Sequence, residues 1–231
     1  MSGRYAIYYV PDPKSDSYRL ASKLLGRCVY TGAKLPRPKL KNVNPAELIR
    51  HTQRASIYGF HGTIVAPFET TANEADLTAA AAFIAKNIKA FELKCLKLVA
   101  VGNTFAAILP EYTPEELKSL EHQYVMELSR FRLPLNEGDI ARRGLLSPKH
   151  MDNLKQWGYH LVFDEFIFHL TVADSLPAVA GDFLAALESY LAPVLNSSLI
   201  FDRLGLFHQP SRTEPFSCQK MFLLQGFENE Y

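Results

Sequence analysis

Phe60-His61-Gly62-Thr63-Ile64 and, 108 positions further on, Phe168-His169-Leu170-Thr171-Val172 are one pattern, His-x-Thr-aliphatic, written twice. In an extended strand alternate side chains share a face, so His61 and Thr63 project together, as do His169 and Thr171. Each copy therefore offers one imidazole beside one hydroxyl. Two such strands facing each other would gather a base, an acid and two neutral donors around one point, a set suited to a phosphoryl group. In a chain with 7 histidines and 48% hydrophobic residues, two accidental matches are expected in roughly one chain in a hundred.

The two motifs, about a hundred residues apart, resemble those of the two-histidine (2H) phosphoesterase superfamily. Within it the stretch Tyr58-Gly59-Phe60-His61-Gly62-Thr63-Ile64 is similar to an uncharacterised bacterial branch associated with phosphonate catabolism. The resemblance implies an α+β, bilobed, pseudo-twofold fold with two antiparallel sheets, flanking helices and a central cleft. It also implies phosphoester hydrolysis without a metal or other cofactor, with His61 and His169 as the catalytic pair and Thr63 and Thr171 on the phosphate.

The chemistry of the residues is compatible with that implication. A phosphodiester has no easy leaving group at neutral pH, so a base must activate the nucleophile while an acid protonates the departing oxygen. Two histidines titrating near neutrality can hold opposite protonation states at once. Which is base and which is acid is left open by the sequence. No carboxylate cluster or HxxxH spacing supplies a metal site. The three cysteines, Cys28, Cys95 and Cys218, are widely spaced and form no CxxC, which points to neither disulfides nor zinc and to a reducing, cytoplasmic setting.

Net charge is +1, from 25 basic and 24 acidic residues, so no global footprint for duplex nucleic acid is present. A small phosphorylated substrate, or an RNA end bearing a 2′,3′-cyclic phosphate, fits better as partner. The apolar run at Tyr5 to Val10 is too short for a signal sequence and ends in Pro-Asp-Pro; no stretch is long enough to span a membrane. The oligomeric state is not legible. A non-catalytic protein binding nucleotides or RNA ends on the same fold is the alternative, against which the second, complementary histidine stands.

Helix punctuation is clear at Asn44-Pro45, Asn73, Thr113-Pro114-Glu115-Glu116, Ser147-Pro148 and Ser175-Leu176-Pro177, and a first helix is expected from near Pro13 to Gly26. Strands are expected over 4–10, 57–65, 91–101, 104–109, 159–163, 166–173, 199–207 and 219–227, with a turn at Gly102-Asn103. From His61 to Phe91 and from His169 to Leu199 the distance is the same 30 residues, the mark of a divergent internal duplication. The chain is thus read as a single bilobed domain over 1–231. The first-motif lobe covers about 56–132 and the second about 158–228, with 1–55 unassigned.

Three basic segments could reach substrate. They are the proline-rich stretch holding Lys34, Arg37, Lys39 and Lys41, the joint at Arg142-Arg143, and the loop His208 to Phe216 with His208 and Arg212. Tyr58, beside the first motif, is a further candidate contact.

Overall fold

The computed structural model describes residues 3–101 and 104–226. The expected Gly102-Asn103 turn, the last position of the 219–227 strand and the far edge of the second lobe lie outside those residues. Strand β1 (Arg4–Tyr9) is buried along nearly its whole length, and it heads a chain that alternates helices with short strands. After it come α1 (Asp16–Leu25), α2 (Pro45–Tyr58), β2 (Gly62–Glu69), α3 (Glu74–Ala85), β3 (Phe91–Leu93), β4 (Leu96–Val101) and β5 (Phe105–Pro110). The second half supplies α4 (Glu115–Ser129), α5 (Glu137–Ala141), α6 (Pro148–Trp157), a 3-10 turn at Phe163–Glu165, β6 (Leu170–Ala173), α7 (Gly181–Leu195), β7 (Leu199–Phe201), β8 (Arg203–Gln209) and β9 (Ser217–Leu223).

Among the described residues these strands make a seven-stranded antiparallel sheet in the order β4-β5-β6-β2-β1-β8-β9, and a two-stranded sheet of β3 with β7. The expected α+β architecture with two antiparallel sheets is present. The motif strands β2 and β6 are direct neighbours, with Gly62 opposite Leu170. The hairpin that follows β2 in sequence pairs beside β6, where Ala107 faces Thr171, whereas the strand β8 that follows β6 pairs beside β1. The equal 30-residue spacing has a structural counterpart, because Phe91 of β3 pairs with Phe201 of β7. Phe201 lies between two rings, stacked on Phe91 at 4.7 Å and on Tyr9 at 4.4 Å, and joins the small sheet to the large one. Each such buried aromatic contributes on the order of 2 kcal/mol by leaving water.

Most helix starts follow their signals. The side chains of Ser15, Asn44, Asn73 and Ser147 each accept a hydrogen bond from a first-turn amide. Several expectations are corrected, and two of them alike: the expected strands 91–101 and 199–207 are each broken in two, β3 and β7 pairing in the small sheet while β4 and β8 join the large one. The expected strand 57–65 is instead helical through Tyr58; Gly59, at φ 74°, ends α2 and donates its N–H to the Ala55 carbonyl, so the strand begins only at Gly62. The expected strand 159–163 finds no ladder partner, because Phe163 adopts φ 57° and turns the chain. Ser175 does not cap α7, since its hydroxyl is paired with His51 Nδ1 at 3.0 Å, and the helix starts later, at Gly181. Thr113 is one residue early, Pro114 taking the cap position of α4.

Candidate active site

His61 and His169 occupy the positions immediately before β2 and β6. Each is anchored by a buried phenylalanine on its N-terminal side, Phe60 and Phe168. The two ring geometries repeat. His61 Nδ1 lies 2.9 Å from the Gly59 carbonyl, and His169 Nδ1 lies 2.9 Å from the Ile167 carbonyl. A carbonyl only accepts, so both Nδ1 atoms are assigned the proton, and Nε2 is left as the nitrogen available to a ligand. Fixing one tautomer twice is what a paired proton-transfer site needs.

The environments differ. His61 is packed under the Tyr8 ring, 4.0 Å between centroids, and beside Tyr58 at 5.9 Å. Burial holds its pKa down at about 4, against a raising contribution from the Gly59 carbonyl; the nearby His169 lowers it further. At neutral pH His61 is an uncharged imidazole with its lone pair on Nε2. Thr63 Oγ1 lies 3.3 Å from that nitrogen. His169 has a lighter cover, with Phe105 at 5.7 Å.

His61, Thr63, His169 and Thr171 line one cavity of about 360 Å³, together with Tyr58, Arg54, Phe105 and Asp174. A second cavity of about 520 Å³ shares His61, Thr63, Tyr58, Arg54 and Tyr159 with the first, and adds Arg4, Tyr8, Asp139, Arg142, Arg143 and Arg212. The candidates Tyr58, Arg142, Arg143 and Arg212 are therefore brought to the motif cleft. His208 is not; it lies on β8 against Tyr5, at 4.6 Å, and lines neither cavity. The basic stretch 34–41 lines neither cavity as well, and Arg37 is tied to the Leu24 carbonyl and the Thr52 hydroxyl.

Arg4, Tyr8, Arg54 and Tyr159 line the cleft without having been singled out in the sequence. Arg54 and Tyr58 stand one helical turn apart on α2, a signal that is lost when 57–65 is taken for a strand. Among the described residues no group of three or more His, Cys, Asp or Glu side chains is placed to hold a metal ion, and no helix is long and apolar enough to cross a membrane.

A family described as "Protein of unknown function (DUF1045)" matches residues 63–217. Two curated relatives are both named "Ribose 1,5-bisphosphate phosphokinase PhnN". The one from Laribacter hongkongensis is 28% identical over 96% of this chain and 52% of its own length. The one from Janthinobacterium sp. is 28% identical over 92% of this chain and 49% of its own length. The chain thus spans about half the length of these relatives. Among solved structures, that of E. coli LigT complexed with 3′-AMP superposes with a TM-score of 0.50 at 13% identity, covering 97% of this chain and 99% of that one. The fold is therefore the one solved for E. coli LigT.

Proposed function

The chain belongs to the DUF1045 family, and on that premise we propose that it is a metal-independent phosphoesterase hydrolysing a cyclic phosphodiester by His/His acid-base catalysis. The observation that carries this reading is the convergence of both imidazoles and both threonine hydroxyls on one cavity, each imidazole with its Nδ1 held by a backbone carbonyl. His61, neutral at physiological pH, takes a proton from water through Nε2 as the oxygen attacks phosphorus. His169 serves as the acid, giving an Nε2 proton to the departing ribose oxygen. Thr63 and Thr171 donate to the non-bridging oxygens. The ring opens to a phosphate monoester, and exchange with solvent returns both histidines to their starting states.

The substrate we favour is a small ribose cyclic phosphate, formed in the cytoplasm during phosphonate catabolism, over an RNA end with a 2′,3′-cyclic phosphate. The name shared by the two relatives, which refers to a phosphorylated ribose, supports that preference. A panel of cyclic phosphates assayed in excess EDTA tests the reading. Turnover of at least one compound that survives chelation is expected; loss of activity restored by a divalent ion would overturn the metal-independent mechanism, and binding without turnover across the panel would leave a sensor.

A further inference from the structure

We propose that the second cavity is a subsite for a phosphate monoester carried by the substrate at a distance from the scissile phosphodiester. The inference deepens the phosphoesterase reading and rests on it for the position of the reacting group. Five arginines line this cavity against one carboxylate, Asp139, in a chain whose net charge is only +1. Like charges gathered on one wall repel one another, and an anion relieves the repulsion.

The arginines are not committed alike. Arg142 and Arg212 both bond Asp139, and Arg212 also reaches Glu69 at 3.1 Å, which ties the end of β2, α5 and the β8–β9 loop into one wall. Arg4, Arg54 and Arg143 have no carboxylate partner among the described residues. Arg4 leans on the neutral Gln209 amide, and Arg143 lies 5.2 Å from the Tyr159 ring centre. Guanidinium groups suit phosphate because their planar N–H forks match two of its oxygens at once.

A second observation points to the same place. Tyr8 lines this cavity and packs its ring on His61, and its buried hydroxyl finds no hydrogen-bond partner among the described residues. An unpaired buried donor costs stability unless a ligand satisfies it.

The two cavities divide the work by charge. The histidine-threonine cavity offers neutral donors and, of the arginines, Arg54 alone, which suits the singly charged diester. The arginine cavity suits a dianionic end group better than the singly charged internal links of a nucleic acid. Because the cavities share Arg54, Tyr58, His61, Thr63 and Tyr159, one small molecule can place a phosphate in each.

Two measurements on the full chain test this. Calorimetric titration with ribose 5-phosphate, which has no phosphodiester, should show binding that ribose alone lacks, and the double variant Arg54→Gln/Arg143→Gln should weaken it about tenfold or more. Because both side chains are exposed, the variant is expected to fold; an unchanged melting temperature checks it. In kinetics, adenosine 2′,3′-cyclic phosphate carrying a 5′-phosphate should exceed the 5′-hydroxyl compound in kcat/KM by about tenfold, and that preference should fall below about threefold in the variant. No ribose 5-phosphate binding, or binding indifferent to the substitutions, would sink the subsite even if cyclic phosphates are turned over. Arginine-dependent binding without turnover of any cyclic phosphate would keep the subsite and sink the phosphoesterase reading. Tighter arginine-dependent binding of an unphosphorylated-end oligonucleotide than of ribose 5-phosphate would overturn the subsite in favour of a polyanion groove.

Discussion

The two copies of the motif present the same atoms in different surroundings. Around His61 the chain has placed the end of α2, the buried Tyr8 and the stacked Tyr58; around His169 it has placed an irregular approach from Ile167 and the single ring of Phe105. The backbone anchor is conserved between copies to the same 2.9 Å, while the packing is not. In the proposed mechanism the two histidines take opposite proton-transfer roles, which requires them to be unequal. Burial around one copy is the cheapest physical route, because it disfavours the imidazolium there without altering the residue itself.

The sharpest way to break the comparison is to remove each imidazole in turn. His61→Ala and His169→Ala should each lower turnover of a cyclic phosphate by about two to four orders of magnitude. They should differ in the pH profile of what remains. The free protein should show a bell in kcat/KM whose two apparent pKa values belong to the pair, and each single variant should lose one of its limbs. If the same bell persists in both variants, the limbs belong to other groups.

Stability against pH isolates His61 from catalysis. Its folded pKa, about 4, lies below the ordinary 6.5, so the unfolded chain takes up the proton first as pH falls. The neutral His61 contribution is therefore complete above pH 6.5 and is lost progressively down to about pH 4, a decline of at most about 3 kcal/mol. Chemical denaturation across that window should show a shallower decline in His61→Ala than in the parent chain. Identical slopes would mean that the copies are not separated by burial.

The residue between histidine and threonine is a third point of difference. A Cβ on Gly62 would lie 2.4 Å from the Phe168 ring, so the first copy is kept to glycine by an aromatic belonging to the second. Leu170, its counterpart, is fully buried. Gly62→Ala should lower stability by about 1–3 kcal/mol through overpacking, with a fall in activity because Phe168 adjoins His169. Wild-type melting and turnover would show that the two copies are packed independently.

How much of this was legible depended on whether the signal was local. The doubled motif is read directly, and Asn44, Asn73 and Ser147 act as caps because nothing competes for their side chains. Ser175 has the same chemistry, but a distant residue, His51, holds its hydroxyl, and no local rule registers that. Gly59 is legible as a glycine, but a strand reading of 57–65 sets it inside an element and hides Arg54 and Tyr58 as one face of α2. Arg142, Arg143 and Arg212 were suggested by a joint and a long loop. Arg4 and Tyr8 were not, because β1 reaches the cleft only through its place beside β2 in the sheet, a long-range pairing without periodicity in the sequence.

The smallest expected effect is the finest probe of the comparison. Thr171 has no side-chain hydrogen-bond partner among the described residues, so its hydroxyl is free to meet a phosphoryl oxygen at no local cost. Thr63 is within 3.3 Å of His61 Nε2, and with Nδ1 protonated that nitrogen can only accept. In the resting site the Thr63 hydroxyl therefore donates weakly to the lone pair that takes the water proton in the proposed mechanism. Thr171→Val should lose one donor to a charged ligand, about tenfold in kcat/KM. Thr63→Val loses the same donor but also frees the base from a competing bond, so its loss should be smaller, about two- to fivefold. The comparison is made with one substrate at one pH on the plateau between the two limbs of the bell, so that protonation does not enter. A larger loss for Thr63→Val than for Thr171→Val would mean that the hydroxyl positions His61 instead of competing for it, and the inequality of the two copies would then rest on hydrogen bonding as well as on burial.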